Sequence, residues 1–162
     1  LLPKMLRRRK QRQRIALENT LKAVFHLSES SQFKDQVFEI GRLATERNAT
    51  LHETESEIRN LVKADMASRL DSRNGPEMSG QAQFELTKSG WSRACEIVRN
   101  HRLWELYLTN AAQYPIDHVH DDAEDIEHHL GEELVHRIEE RLENPIHDPH
   151  GKLIPNRESI KL

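Results

Sequence analysis

Between positions 120 and 130 the chain reads His120-Asp121-Asp122-Ala123-Glu124-Asp125-Ile126-Glu127-His128-His129-Leu130. At about 3.6 residues per helical turn, His120, Glu124, Glu127 and His128 fall on one stripe of a helix. His101 and Glu105 stand four apart in an earlier apolar stretch, so two helix faces each offer an imidazole and a carboxylate to a shared site. Such mixed nitrogen and oxygen ligands suit Mn(II), Fe(II), Co(II) or Zn(II) better than a thiolate-seeking ion, and better than an all-oxygen calcium site.

A carboxylate and an imidazole on one helix face are common on solvated surfaces, so the pattern alone is weak. Two features strengthen it. Six of the ten histidines lie between His101 and His136, and the His101–Glu105 pair sits among apolar neighbours, where unpaired polar groups are costly and coordination would satisfy them. Hydrolytic use of the ion would need an open coordination position beside a carboxylate base. The chain has no His-Glu-x-x-His motif and no α/β pattern that would build a cleft, so we expect a binding protein rather than an enzyme.

Helices must carry these ligands. The 162 residues suffice for one domain or two small ones. An apolar content of 36% against 31% charged, with mean hydropathy −0.80, reads as a soluble and mostly helical chain. No apolar run approaches the roughly 20 residues of a membrane span. We expect a first helix over residues 5–29, where Leu17, Leu21, Val24, Phe25 and Leu27 form an apolar stripe behind a basic arm. A second is expected over 35–47. A third runs from Leu51 to Ala64, with Thr50 as N-cap and Glu53 completing a capping box.

The turn-forming residues Asp71, Ser72, Asn74, Gly75, Pro76, Ser79 and Gly80 then end the helical pattern, and the alternation of Gln83-Phe84-Glu85-Leu86-Thr87 predicts a β-hairpin, or wing. A long helix is expected from Ser89 to Asn110. Another runs from Val119, through a kink near Gly131, to Leu142. The tail from Asn144 reads as irregular.

Helix, helix, helix, wing is the order of a winged helix-turn-helix, whose third helix enters the DNA major groove. Phosphates dominate DNA affinity, which singles out Arg59 and Lys63 on that helix, while Glu53, Glu55 and Glu57 crowd its groove-facing start. The net charge of −3 hides a segregation, because Lys4, Arg7, Arg8, Arg9, Lys10, Arg12 and Arg14 have no acid among them. Arg7, Arg8 and Arg9 are candidates for a DNA-binding arm. The same run reads also as a solvated charge cluster or as a juxtamembrane segment behind a membrane helix. The opening Leu1-Leu2-Pro3-Lys4, without methionine or signal peptide, suggests a fragment of a longer chain. A single cysteine, Cys95, rules out an intrachain disulfide and fits a reducing, cytosolic compartment. We expect it as a small buried helix residue.

Three segments together, Asn100-His101-Arg102-Leu103-Trp104-Glu105-Leu106-Tyr107-Leu108, Val119 to Leu130, and Asn144-Pro145 with Asp148-Pro149-His150-Gly151 and Ile154-Pro155, resemble the metal-binding and dimerisation domain of the diphtheria-toxin-repressor and manganese-transport-regulator family. The resemblance is close over residues 88–155 and loose over 15–87. It implies a mainly α fold: a winged helix-turn-helix domain at 15–88 and a helical metal-binding and dimerisation domain at 89–143, flanked by the arm at 1–14 and the irregular tail at 144–162.

It further implies a cytoplasmic homodimer that binds Mn(II) or Fe(II) and then an operator on DNA. One metal site would come from Glu124, Glu127 and His128, and a second from His101, Glu105 and His120; glutamate at 124 favours manganese. The positions matching the family's first-helix ligands are Asn19 and Lys22, and a protonated lysine does not ligate. Some metal-transporter permeases of the ABC type carry such a domain after their last membrane helix. The basic arm resembles that junction, which would put the chain on the cytosolic face of the inner membrane.

Overall fold

The computed structural model describes residues 2–70, 80–111 and 132–156. The chain divides into two compact units, one built from the first 94 residues and one from Cys95 onward. In the first, α1 (Leu2–Ser30) is exposed at every position from 6 to 14 and gains a buried face only from Glu18 on. The basic arm is therefore the solvated half of a helix whose other half, through Leu21, Val24, Phe25 and Leu27, enters the core.

The helix expected over 35–47 is instead strand β1 (Val37–Glu39) followed by α2 (Ile40–Glu46). Alternation decides this: Val37 and Glu39 are exposed while Phe38 points inward, where its ring lies 5.8 Å from Phe84 and 6.3 Å from Trp91. Three residues are too few for a period to register in the sequence. Strand β1 pairs antiparallel with β3 (Gln83–Leu86), Phe38 opposite Phe84, and β3 pairs on its other edge with β2 (Ala67–Arg69). The wing is thus part of a three-stranded sheet, β1-β3-β2, and its predicted tip lies outside the described residues.

Helix α3 (Leu51–Lys63) begins as expected. The Glu53 backbone N–H donates to the Thr50 hydroxyl at 3.2 Å, and the Thr50 N–H donates to the Glu53 carboxylate at 3.0 Å. The hydrogen bond from the Thr50 side chain, with the backbone one behind it, holds the Glu53 carboxyl below the usual carboxylate range. Ile58 and Leu61 of α3, Leu43 and Ala44 of α2, and Phe84 of β3 are all buried in the unit's core. Helix α4 (Lys88–Ala111) starts where Thr87 donates to the Asp65 carbonyl at 2.7 Å and accepts from the Gly90 N–H at 3.1 Å. Close approach makes glycine necessary at 90, since a Cβ there would fall under 3.0 Å from the Met66 carbonyl.

The second unit contains the rest of α4 and helix α5 (Glu132–Arg141). Trp104, Leu108 and Ile138 form one apolar cluster, and Leu103, Val135 and Ile154 another. Cys95 is buried as expected, and burial pushes its thiol up to about 11. The tail is more ordered than its composition suggests. His147 and Leu153 form an isolated antiparallel bridge, the Ile154 N–H donates to the Ile146 carbonyl at 2.8 Å, and the Ile154 side chain is buried. The predicted helix from Val119 and its kink at Gly131 lie outside the described residues.

Candidate metal centre and nucleic-acid face

Helix α4 delivers the first ligand pair through its own periodicity. His101 and Glu105, only 4% and 3% exposed, stand one turn apart, with Nε2 3.1 Å from Oε1. Val98, Leu103, Trp104 and Leu108 on the same helix are buried as well. A lone charge there would carry a desolvation penalty of several kcal/mol, so the two groups are suited to facing each other or a shared cation.

The tail supplies a third group that sequence reasoning quoted but did not assign. His150 brings Nε2 to 4.0 Å from Glu105 Oε1. Its position follows from Asp148, whose Oδ1 accepts the backbone N–H groups of His150 and Lys152, both at 2.8 Å. On the other side Asp148 Oδ2 lies 3.6 Å from Arg102 Nε, and Arg102 also donates to the Leu153 carbonyl. The legible signal was an aspartate two residues before the histidine, which favours a local turn, with Gly151 following at φ 79°.

Two imidazoles and a carboxylate are a donor set that fits a divalent ion of intermediate hardness. Among the described residues no cluster of three potential ligands closes into a complete site. The remaining candidates, His120, Glu124, Glu127 and His128, lie outside the described residues. In the first unit Lys22 is buried, and the buried Asn19 Oδ1 has no hydrogen-bond partner among the described residues.

On α3 the structure corrects, for Glu55 and Glu57, the expectation that three glutamates occupy the groove-facing start, while Glu53 stays exposed. Glu53 is committed to the capping box. Glu55 is buried and ion-paired with Arg69 of β2. Glu57 pairs with Arg47 and accepts from the Thr20 hydroxyl at 3.1 Å. Sequence charge counting missed this because it cannot assign partners. The stripe left toward water is His52, Ser56, Arg59, Asn60 and Lys63, at steps of three and four; Ser56 is half-buried and the others exposed. Arg59 and Lys63 are therefore presented together, and Arg7, Arg8 and Arg9 are exposed on α1.

The architecture is that of a winged helix-turn-helix domain followed by a helical metal-binding and dimerisation domain. Residues 87–156 match the family model described as the iron-dependent repressor, metal binding and dimerisation domain. An iron-dependent repressor of Mycobacterium tuberculosis is 31% identical over 121 residues, which cover 65% of this chain and 52% of that protein. A probable metal transport system membrane protein of Chlamydia trachomatis is 43% identical over 75 residues, covering 46% of this chain and 17% of that one. Among solved structures, a manganese-dependent transcriptional repressor in complex with manganese superposes with a TM-score of 0.65 at 30% identity, over 86% of this chain and 58% of its own. The manganese regulator SloR gives 0.66 at 27% identity, over 87% and 60%.

Residues 87–156 thus match the metal-binding and dimerisation domain of iron-dependent repressors, and the chain is similar over most of its length to iron- and manganese-dependent repressors. It spans 17% of the length of the metal-transport relatives it matches and about half that of the repressors.

Proposed function

We propose that this chain is a metal-sensing regulator: a cytoplasmic homodimer, joined through the helices around residues 89–142, that responds to Mn(II) or Fe(II) and represses metal uptake by binding operator DNA. The observation carrying this reading is the buried His101–Glu105 pair within the segment that matches a metal-binding domain. His101 and Glu105 would hold one ion with His120, and Glu124, Glu127 and His128 another; Glu124 favours manganese, while Zn(II) or Co(II) would bind in vitro. When bound, the ion supplies positive charge that gathers imidazole and carboxylate groups from separate segments. The DNA contact falls to the exposed stripe of α3, with Arg59 and Lys63 meeting phosphates.

Calorimetric Mn(II) titration tests the ligand assignment. Glu124→Ala, Glu127→Ala, His128→Ala and Glu105→Ala each weaken binding; unchanged affinity in all four refutes it. A gel shift at low salt tests the output. Retention should require Mn(II), and Arg59→Glu and Lys63→Glu should each reduce it and lower the salt slope by about one.

A second reading has its own support, since metal-transport membrane proteins of two Chlamydia species are 43% and 49% identical to this chain over about 75 residues. On that reading the chain is the cytosolic regulatory domain of a permease, and the basic half of α1 lies at the membrane side. No helix among the described residues is long and apolar enough to cross a membrane. Mn(II) binding without any Mn(II)-dependent gel shift would favour the permease domain over the repressor.

A further inference from the structure

Ahead of Glu18, the first acidic residue of the chain, α1 carries Arg7, Arg8, Arg9, Lys10, Arg12 and Arg14, and every residue from 6 to 14 is exposed. At Glu18 the helix changes character. That residue is 8% exposed; its carboxylate accepts from Arg93 of α4 at 2.8 Å and lies 3.6 Å from Arg14 Nε. Two residues on, the Thr20 hydroxyl donates to Glu57 of α3 at 3.1 Å, and Glu57 pairs with Arg47. Arg14 is thus partly engaged at the point where α1 enters the core. The cations before it stand on a helix whose other half is fastened to α3 and α4 within one compact unit.

Charge draws such a surface to a polyanion, and its remaining residues narrow the choice. A helix that lies in a membrane interface sets an apolar face against its cations. From 6 to 14 the sole apolar residue is Leu6, and the others between the cations are Gln11 and Gln13. A lipid surface would have electrostatics alone to hold it. A nucleic-acid duplex needs nothing more, because phosphate neutralisation with counterion release supplies essentially all of its non-specific affinity. Arginine, which dominates the run, also offers paired donors to phosphate oxygens. Residues 7–14 occupy about 10 Å of helix axis, and the same length of duplex carries about six phosphate charges. We infer that the basic half of α1 is a second nucleic-acid contact, a sequence-independent phosphate-binding surface that acts in addition to α3. It goes beyond the proposed function, since it requires neither Mn(II) nor an operator. Belonging to the same unit as Arg59 and Lys63, it adds affinity without reading bases.

Fluorescence anisotropy of the full chain with a short labelled duplex of arbitrary sequence, in chelator, reads this contact apart from any metal-dependent one. The parent chain should bind at low salt, its logarithmic affinity falling linearly with the logarithm of salt concentration. The triple substitution Arg7→Gln, Arg8→Gln, Arg9→Gln should reduce that slope by about three. Helix content by circular dichroism should hold, because glutamine is a good helix former. Lys34→Gln, Arg137→Gln, Lys152→Gln removes as much charge from exposed positions elsewhere and should change the slope by roughly one at most. Equal effects of the two triples would reduce the contact to net charge and overturn the inference, as would a parent chain that ignores the duplex at low salt. Vesicles containing anionic lipid, matched to the duplex in total charge, should fail to release the bound duplex; release would assign the surface to a membrane instead. In a chain carrying Arg59→Glu and Lys63→Glu, the slope difference from Arg7, Arg8 and Arg9 should persist, so failure of α3 as a DNA contact and failure of this inference are read separately.

Discussion

Arg69 on wing strand β2 reaches into α3 and neutralises Glu55, whose carboxylate is buried in the helix-turn-helix unit. The pair joins the wing to the helix that offers Arg59 and Lys63 to solvent, and it removes from the surface a negative charge that would oppose DNA. Glu55→Ala leaves the guanidinium without this partner. We expect a loss of about 1–2 kcal/mol, discounted because Arg69 is 29% exposed. Urea denaturation measures it, and a midpoint unchanged from the parent chain would show the pair to be idle.

Among the described glycines, Gly90 leaves the least room for a side chain, with the Met66 carbonyl where a Cβ would stand. Backbone cannot move aside as a flexible side chain does. Gly90→Ala should therefore cost at least the roughly 3 kcal/mol that marks severe overpacking, although alanine is the better helix former. Circular dichroism melts would settle it; a stabilised variant would mean that α4 starts elsewhere.

Cys95 responds to alkali. Its buried thiol is pushed from 9.0 up to about 11, so the folded chain holds this proton more tightly than the unfolded chain does. The corresponding stability is fully present below pH 9 and is lost as pH rises from 9 toward 11, by about 2.7 kcal/mol at most. Urea midpoints measured across that window should fall in the parent chain and fall less in Cys95→Ala. A thiol reagent at pH 8 should react with the native chain far more slowly than with the denatured one.

Metal should stabilise the fold by mass action. At a free Mn(II) concentration a hundred times the dissociation constant, a single site adds about 2.7 kcal/mol. The melting temperature should rise with Mn(II), return with chelator, and rise less in Glu105→Ala. A melting temperature indifferent to Mn(II) would count against any resident ion.

Legibility in the sequence followed the length and independence of each signal. Helix α3 was readable to its capping box, because Thr50 and Glu53 carry their message within four residues. The long helix after the wing was readable because its apolar steps persist over 24 residues. Strand β1 was hidden, since Val37–Glu39 is defined by its neighbour β3 rather than by any period of its own. In the candidate site, His101 and Glu105 announce themselves by spacing. His150 does not, because its approach to Glu105 depends on a turn set by Asp148 and Arg102. The fate of Glu55 and Glu57 depends likewise on Arg69, Arg47 and Thr20, which lie from 10 to 37 residues away.

The helical state of residues 2–14 bears on what they can touch. Successive side chains on a helix point about 100° apart, so Arg7, Arg8 and Arg9 radiate around the axis of α1 instead of lining one edge. A planar sheet of negative charge meets one side of such a rod and leaves the other cations in water. A concave or enveloping polyanion meets most of them at once, so curvature, more than charge density, discriminates among the partners this rod can hold.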